Sequence, residues 1–320
     1  MNKKTTPFII AATIIITVIA ILIIKNQTGK NYVVGIVNPK VASDDMTKGF
    51  IKGLAEYGYV EGENLSFIKC EGKKDMDTAL QDMIARNVDL IFTVTTPATK
   101  KAKKMTADNK IPVVFIMLDP VALGVIENMT KPTGNVTGIK LRGSSPKAFE
   151  WLLAVAPDVK NVYVPIKYDT KAARMSIKDL KKTARQFGMQ LTVAEFSTTE
   201  DLKALPETIP QDVDAIFIPR SLSISPNIKS IVQAGIARKI PTVGGSSQFQ
   251  SGAVLSFGPN RFLSGKQASR LAHRILQGIK VIDTPTEVAD FYLGINLNTA
   301  GKSDIEISND ILLNADTIIR

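Results

Sequence analysis

The chain of 320 residues contains a single cysteine, Cys70, and a single histidine, His273. One cysteine excludes an internal disulfide framework and any thiolate-based zinc or iron–sulfur cluster. One histidine excludes multi-histidine metal sites and argues against acid–base catalysis through histidine. Gly-x-Gly-x-x-Gly, Walker, Gly-x-Ser-x-Gly and His-Glu-x-x-His motifs are also missing. We therefore expect a protein that is not an enzyme and uses no metal or cofactor.

Aromatic residues are few, and acidic residues are outnumbered by basic ones, 30 against 40, which gives a net charge of +10. Four of the lysines lie among the first thirty residues, so the remainder of the chain is only mildly basic. The densest basic run, Lys100–Lys104, contains no aromatic residue, whereas nucleic-acid binders usually combine the two. We interpret this run as the solvent-facing side of a helix and expect no nucleic-acid partner.

Only one long hydrophobic run is present, from Phe8 to Ile24, and it carries no charge. A helix over this run would be about 25 Å long, slightly shorter than the roughly 30 Å hydrocarbon core of a bilayer. Bulky residues end the run where a cleavable signal peptide would have a small-x-small site. We therefore favour an uncleaved signal anchor over a cleaved signal peptide. Either alternative places the following chain outside the cytoplasm, at the cell surface or in the periplasm, tethered to the cytoplasmic membrane or secreted.

Strand-like apolar runs alternate with amphipathic helical patterns from Tyr32 onward. The run Tyr32–Val37 is continuously apolar, as expected of a strand buried on both faces of a parallel sheet. The pattern restarts after residue 140, and Val88–Phe92 (VDLIF) is matched by Val213–Phe217 (VDAIF) in the second half. We expect an α/β fold with two doubly wound parallel-sheet lobes joined by a hinge and preceded by one N-terminal hydrophobic helix.

The expected domain organisation has four parts. Residues 1–30 form the signal anchor or signal peptide, and residues 31–140 form an N-terminal α/β lobe to which part of the C-terminal tail returns. Residues 141–275 form a C-terminal α/β lobe, and residues 276–320 form a crossover and tail. Ligands of open α/β sheets bind at the carboxyl ends of the strands, so the cleft between the two lobes is the expected binding site.

The candidate ligand contacts are polar residues and a glycine that follow predicted strands or begin the next helix. They are Asn38, Ser43, Thr95, Thr96 and Asp119 in the first lobe, and Tyr168, Asp169, Arg220, Ser221, Gly245 and Ser246 in the second. Thr95 and Thr96 begin a proline-led helix, where hydroxyl and free N–H groups suit a carboxylate. Arg220 offers a planar fork that matches a carboxylate. Each candidate contact also has a purely structural explanation. The explanations are helix capping for the residues at helix starts, an Asx turn for Asp119 and an ordinary turn for the glycine.

The segment Gly49–Leu65, GFIKGLAEYGYVEGENL, resembles the GF-x-x-GL-x-x-x-GY-x-EG-x-N segment of a family of bacterial ABC-transporter substrate-binding proteins, the tryptophan/tyrosine-type solute receptors. Further similar segments are Thr95–Ala98, Ile111–Phe115, Asp119–Val121, Gly134–Gly138 and Phe291–Asn296. The resemblance implies a type I periplasmic-binding-protein fold. It also implies capture of a small-molecule ligand without chemistry, and delivery to an ABC permease in the membrane. We expect the body to be monomeric.

The second lobe departs from this family pattern at two places. Pro219-Arg220-Ser221 stands where many relatives have Pro-Thr-Asp, and Gly244–Ser247 (GGSS) stands where relatives often have Ala-Gly-Asp or Ala-Gly-Glu. Two acidic residues that could accept an α-amino group are therefore absent. We expect a small polar ligand that bears a carboxylate or is amino-acid-like. A membrane-anchored sensory receptor coupled to a signalling partner is the alternative, whereas a dinucleotide enzyme would need the missing glycine fingerprint.

Overall fold

A computed structural model describes residues 30–39, 44–72, 75–141, 145–168, 171–219, 223–245 and 247–320. The expected N-terminal hydrophobic helix lies outside the described residues. Within them, none of the helices combines the length and the apolar character needed to cross a bilayer.

Strands and helices alternate along both halves of the chain. The strands are β1 (Tyr32–Asn38), β2 (Leu65–Glu71), β3 (Leu90–Val94), β4 (Val113–Met117), β5 (Val136–Lys140), β6 (Asn161–Ile166), β7 (Gln190–Glu195), β8 (Ala215–Ile218), β9 (Thr242–Gly244), β10 (Leu255–Pro259), β11 (Glu287–Val288), β12 (Phe291–Asn296) and β13 (Thr317–Ile319). The helices are α1 (Asp44–Glu56), α2 (Met76–Ala85), α3 (Thr96–Met105), α4 (Ser145–Val155), α5 (Lys171–Gln186), α6 (Thr199–Ala204), α7 (Ile228–Ala237), α8 (Arg261–Leu276), α9 (Leu297–Lys302) and α10 (Asn309–Leu313). Short 3₁₀ turns cover Leu205–Thr208, Ser225–Asn227, Gln248–Ser251 and Val281–Asp283.

The strands form two sheets with the same internal order. The first sheet runs β2-β1-β3-β4-β5-β11, and the second runs β7-β6-β8-β9-β10-β12-β13. Every described pair is parallel except β10 with β12. The orders 2-1-3-4-5 and 7-6-8-9-10 are equivalent, which confirms the duplicated α/β architecture expected from the sequence.

The repeated Val-Asp dipeptide has the same structural role in both halves. Asp89 Oδ2 accepts a hydrogen bond from the backbone N–H of Val33 at 2.8 Å, and Asp214 Oδ2 accepts one from Asn161 N–H, also at 2.8 Å. In each lobe the aspartate thus satisfies a backbone donor at the start of the neighbouring strand. The repeated Val-Asp dipeptide therefore has one structural role in both lobes, because its aspartate bonds the start of the adjacent parallel strand.

Each sheet carries a hydrophobic core on both of its faces, as a doubly wound fold requires. Phe92 packs among residues of α1 and α8, whereas its neighbour Ile91 packs among residues of α2 and α3 on the opposite face. In the second lobe, Phe217 packs with α4 and α5, and Ile216 packs with α7. Successive strand side chains point to opposite faces, so a continuous apolar run serves both cores.

Helix α8 is the main departure from the expected domain boundaries. It follows β10 of the second sheet, but its apolar face joins the core of the first lobe next to α1. The apolar stripe of α8 predicts that the helix covers a sheet, but the stripe would be the same on either sheet. We therefore correct the boundary expected at residue 275: the chain leaves the second lobe before α8, returns to it at β12, and passes between the sheets after β5, β10 and β11.

The contact between α1 and α8 is close because glycines form it. A Cβ atom added at Gly49 would lie 1.9 Å from the backbone oxygen of Phe262, and one added at Gly265 would lie 2.1 Å from the backbone oxygen of Met46. No real Cβ atom approaches an oxygen so closely, so only glycine permits this separation of the two helices. The glycines of the family-like segment at this position therefore serve helix packing.

We predict that Gly49→Ala lowers the free energy of unfolding by about 1–3 kcal/mol, because the methyl group would meet backbone that cannot yield without separating the helices. The matched control is Gly301→Ala in α9, where an added Cβ has no neighbour within 4 Å. That control should be neutral or stabilise by up to about 1 kcal/mol, since alanine favours helices over glycine. Urea denaturation measures both effects, and equal effects would contradict the close packing.

The one histidine lies in an aromatic cluster at the end of α8. Its ring stacks on Tyr57 with a centroid separation of 4.3 Å, and His273 Nδ1 lies 3.1 Å from the hydroxyl of Tyr59. Gln277 Nε2 also donates to that hydroxyl, at 3.2 Å. Burial lowers the pKa of the His273 imidazole below its usual 6.5, because desolvation disfavours the charged ring.

This shift predicts that the protein loses stability as the pH falls below about 6.5. The unfolded chain takes up a proton on His273 more readily than the folded chain, so the stabilisation is complete above that pH and is lost toward the lower folded pKa. His273→Phe keeps the stacking on Tyr57 but cannot titrate. Urea unfolding between pH 7.5 and pH 5 should therefore show a smaller pH dependence in the variant, and identical slopes would contradict the assignment.

Candidate functional site

The carboxyl ends of the first-sheet strands bring together four of the expected contact residues. Asn38 ends β1, Thr95 and Thr96 follow β3, and Asp119 follows β4. The register aligns Val37 with Thr93, Val94 with Ile116 and Met117 with Lys140, so these ends share one edge of the sheet. This edge is where open parallel sheets bind ligands.

The second sheet contributes two described residues of the expected set. Gly245 directly follows β9, and its N–H donates to the carbonyl of Ile218 at 3.2 Å. Tyr168 follows β6, where its ring packs at the border of the second lobe's core and its carbonyl accepts from Arg174 Nη1 at 2.8 Å. The remaining predicted contacts lie outside the described residues and stay predictions: Ser43, Asp169, Arg220, Ser221 and Ser246.

Thr95 has a backbone conformation that residues with side chains rarely adopt. Its φ is 89° and its ψ is 151°, a region occupied almost only by glycine. Two bonds from Thr99 hold it there, because the N–H and the hydroxyl of Thr99 both donate to the carbonyl of Thr95, at 3.1 and 2.8 Å. The Thr99 hydroxyl also lies 3.0 Å from that of Thr93. Such strain costs about 1–3 kcal/mol and persists where the surroundings impose it.

The hydroxyl of Thr95 is buried and has no hydrogen-bond partner among the described residues. Helix α3 starts directly after it, without a side-chain cap, with Pro97 in its first turn and with no acidic residue there. An uncapped helix start leaves N–H groups available and carries a partial positive charge. The unused hydroxyl and this helix start form a set of donors that suits a carboxylate or another anionic group.

Asn38 and Asp119 each hold neighbouring backbone or side chains in place. Asn38 is buried, and its Nδ2 donates to the hydroxyl of Thr47 in α1 at 2.9 Å. Asp119 accepts from Lys140 Nζ at 2.8 Å and from the N–H of Ala122 at 3.1 Å. Partial burial acts to raise the pKa of Asp119, but the hydrogen bonds and charge of Lys140 and the backbone bonds outweigh it and lower the pKa. The carboxylate is therefore ionised at neutral pH.

A cavity of about 340 Å³ lies between the two lobes beside Asp119. Its residues from the first lobe are Leu118, Asp119, Lys140 and Leu141, and those from the second are Ser145, Pro146, Met175, Ser176, Asp179, Lys182, Thr183 and Gln186. The α5 residues recur at helical spacing, so a single face of that helix forms the wall. Two carboxylates and two ammonium groups among mixed apolar residues suit a small, strongly polar ligand.

The sequence pattern predicted Asp119 as a contact but not Lys140, Asp179 or Lys182. Lys140 ends β5 at the same edge as Asp119, and its position after a predicted strand is a signal that could have found it. Asp179 and Lys182 lie within α5 rather than after a strand. Only the packing of that helix toward the first lobe, where Met175 joins the first-lobe core, brings them to the cleft.

The second lobe contains a further polar atom of interest near the end of β9. Gln248 is more than nine-tenths buried, and its Oε1 has no partner among the described residues. A Cβ added at Gly244 would lie 2.7 Å from that oxygen, so glycine at this position makes room for the amide. An unsatisfied buried acceptor at a strand end can receive an N–H or ammonium donor.

Two α/β lobes with equivalent sheets, three connecting passages and a cavity between them are typical of the bilobal class of ligand receptors. The chain belongs to the family described as ABC transporter substrate binding protein, whose family model matches residues 32–319. Membership confirms the resemblance found in the glycine-rich segment. Proteins of this family bind substrates and are generally not enzymes.

The relatives agree with this assignment. The chain is 25% identical over 252 residues to a tyrosine-binding protein of Clostridioides difficile (strain R20291), covering 77% of this chain and 72% of that protein. It is similar to a conserved domain protein from Vibrio cholerae O1 biovar El Tor, with a TM-score of 0.78, 25% identity and coverage of 90% and 99% of the two chains. An ABC domain from Streptococcus pneumoniae in complex with L-Trp gives a TM-score of 0.78 at 23% identity, covering 91% and 100%.

The strain at Thr95 leads to a stability prediction. Thr95→Gly should raise the free energy of unfolding by about 1 kcal/mol, because relief of the strained backbone exceeds the entropy lost by fixing glycine. Urea denaturation of the protein without ligand measures the change. A loss of stability would show that the threonine conformation is not strained.

Proposed function

We propose that this protein is the extracytoplasmic substrate-binding protein of an ABC importer and that it captures an amino-acid-like ligand by its carboxylate. The observation that carries the proposal is Thr95, which combines a strained backbone, a buried hydroxyl without a partner among the described residues, and an uncapped helix start at the carboxyl edge of the first sheet. Strain of this kind is retained where function requires it. The ligand leaves the cleft chemically unchanged.

The carboxylate of the ligand is bound by donors of the first lobe. Thr95 supplies its hydroxyl, and the first turn of α3 supplies N–H groups with the positive end of the helix dipole. Each charge-assisted hydrogen bond is worth about 1.5–3 kcal/mol in a water-excluded cleft. An anchor of this kind recognises the part that all amino acids share, and the rest of the cleft then selects the side chain.

The amino group of the ligand needs an acceptor, and the two acidic residues seen in many relatives are replaced here. Asp119 and Asp179 at the cavity and the unused oxygen of Gln248 offer acceptors instead. Asp119 is ionised, so it can bind an ammonium group in exchange with Lys140. The polar cavity wall thus compensates for the missing acids.

The relatives support an amino acid as the ligand class. One relative is named for tyrosine binding, and one similar structure contains L-Trp. Both aromatic amino acids have the carboxylate and ammonium groups that the first-lobe donors and the cavity acceptors would bind. The polar and charged cavity favours a ligand whose side chain is itself polar over a purely apolar one.

Delivery follows from closure of the two lobes. The three passages between the sheets, after β5, β10 and β11, form the hinge, and closure brings the α5 wall toward the first lobe. A permease in the membrane would accept the closed, loaded form, as the family implies. Residues 8–24 would anchor the receptor to the outer face of that membrane or would be removed after export.

We predict that one amino acid or a close relative stabilises residues 30–320 in a thermal shift screen, and that the matching amine without a carboxylate does not. Binding at about 100 times the dissociation constant adds roughly 2.7 kcal/mol to the free energy of unfolding. The screen covers the common amino acids, each paired with its decarboxylated and deaminated analogue. If no zwitterion gives a shift, the proposed ligand class is wrong.

Thr95→Val is the variant that tests the carboxylate site directly. Valine keeps the shape of the side chain and removes its hydroxyl, so the dissociation constant should rise roughly tenfold or more for the loss of one charge-assisted hydrogen bond. The matched control is Thr192→Val on the exposed edge strand β7, which should bind with unchanged affinity. Isothermal titration with the amino acid found in the screen measures both, and equal affinities would remove Thr95 from the site.

A further inference from the structure

Helix α5 of the second lobe concentrates the positive charge of the chain. It contains six basic residues and one acidic residue, Asp179, among its 16 residues. The whole chain has a net charge of +10, so half of that charge lies on this one helix. Charge of one sign at this density attracts a partner of the opposite sign.

The side chains of α5 form three parallel rows, each displaced from the next by one residue. The first row packs in the second-lobe core and consists of Ala173, Ile177, Leu180 and Ala184. The second, which we call the basic row, consists of Arg174, Lys178, Lys181 and Arg185. The third lines the cavity between the lobes and consists of Met175, Asp179, Lys182 and Gln186. One residue step turns an α-helix by about 100°, so the basic row lies on the outer side of α5, next to the cavity wall.

The members of the basic row are neighbours on the helix surface. All four are exposed, and they follow one another at intervals of four, three and four residues. Side chains at these intervals are adjacent on an α-helix, and the row spans about 16 Å. Like charges at such spacings destabilise a helix, so the basic row is unfavourable for folding by itself.

No carboxylate among the described residues forms an ion pair with the basic row. Glu150 of the adjacent helix α4 pairs with Lys147 of its own helix instead. Asp179, the acidic residue of α5, lies in the cavity row. Within the described chain the charge of the basic row is therefore uncompensated.

The composition of α5 indicates the kind of partner that would compensate this charge. The basic row contains no aromatic residue, whereas nucleic-acid surfaces usually combine basic and aromatic side chains. The apolar row of α5 is already buried in the core, so the helix has no apolar face left to insert into a bilayer. Separate cations at fixed spacing suit carboxylates that another protein holds in place, and such complementary charges set specificity and association rate.

The position of the basic row indicates which protein this is. The neighbouring row of α5 is the cavity wall, so a partner bound to the basic row lies beside the place from which a ligand leaves. The opposite wall, with Asp119 and Lys140, belongs to the first lobe. Closure therefore moves the basic row relative to the first lobe, and a partner that contacts both lobes can distinguish the open form from the closed form.

We propose that the basic row docks on an acidic surface of the membrane permease, so that Lys178, Lys181 and the flanking arginines pair with permease carboxylates during delivery. This proposal rests on the proposed function as the receptor of an importer. Docking at the basic row places the cleft beside the permease, as delivery requires. Because these ion pairs form between exposed groups, docking weakens as the salt concentration rises.

A zero-length cross-linker tests the contact directly. Carbodiimide joins a lysine amine to a carboxylate only where the two groups touch, and it is applied to the full chain in membranes of the cells that produce it. The proposal predicts links from Lys178 and Lys181 to aspartate or glutamate of a membrane-spanning protein. The control lysines are Lys100 and Lys104 of α3, which are exposed and form no ion pair with the described residues. Equal linking of the two pairs, or no link from α5, overturns the proposal.

Charge reversal then tests whether the links reflect binding. Lys178→Glu with Lys181→Glu is compared with Lys100→Glu with Lys104→Glu, which changes the net charge by the same amount. The α5 variant should raise the dissociation constant for the linked protein in nanodiscs about tenfold or more, and the α3 variant should leave it nearly unchanged. Equal dissociation constants overturn the proposal. Charge-dependent binding of the chain to phosphatidylglycerol vesicles, without protein links, shows a lipid partner and also overturns it.

The outcomes separate this proposal from the proposed function. Both variants should keep the ligand-dependent thermal shift, because the substituted lysines lie outside the cavity row. If the unchanged chain does not bind an ABC permease, the importer function itself is wrong. If the unchanged chain binds the permease and the α5 variant binds it equally well, only the role of the basic row is wrong.

Discussion

The close approach of α1 and α8 is the contact on which the architecture depends. It joins a helix near the start of the described chain to one more than two hundred residues later, and it works because backbone meets backbone at Gly49 and Gly265. Together with the apolar face of α8 that joins the first-lobe core, this contact holds α8 on the first lobe, so the chain passes between the lobes after β10. One of the three passages between the lobes follows from this packing.

The same contact changes how the family resemblance is understood. The segment that carries it contains Gly49 and Gly53 in α1, and Gly58 and Gly62 in turns with φ of 87° and 89°. Two of these glycines permit a helix crossing, and the other two permit left-handed turns. The most recognisable segment of the sequence therefore serves folding, whereas the proposed ligand contacts lie in less distinctive residues at the strand ends.

The backbone conformation of Thr95 lowers the stability of the first lobe. The buried network of Thr93 and Thr99 contributes hydrogen bonds that hold Thr95 in a strained backbone with an unused hydroxyl. A sequence selected for stability alone would place glycine at that position. Local conflict of this kind, within a lobe whose strands, turns and helix starts otherwise agree, is typical of a functional site.

Periodicity and strand-end position were sufficient to predict two parallel-sheet lobes and the place of Thr95, Thr96 and Asp119 after strands of the first sheet, whereas their contact with a ligand stays a prediction. They gave no means of finding Asp179 and Lys182, because these side chains face the cleft only through the orientation of α5. The Val-Asp dipeptides that contain Asp89 and Asp214 were visible in the sequence as a repeat. Their role, a hydrogen bond to the backbone of the adjacent strand, was shown only by the position of that strand.

Local structure was thus decided by the order of residues, because helix and strand patterns, turn glycines and helix starts depend on neighbours a few positions apart. Contacts between distant residues decided which sheet α8 covers, which face of α5 forms the cavity, and that Tyr32 lies beside the end of α8. Such contacts depend on how well two whole surfaces fit, and at Gly49 and Gly265 the fit requires that no Cβ atom is present. No short stretch of sequence contains that information.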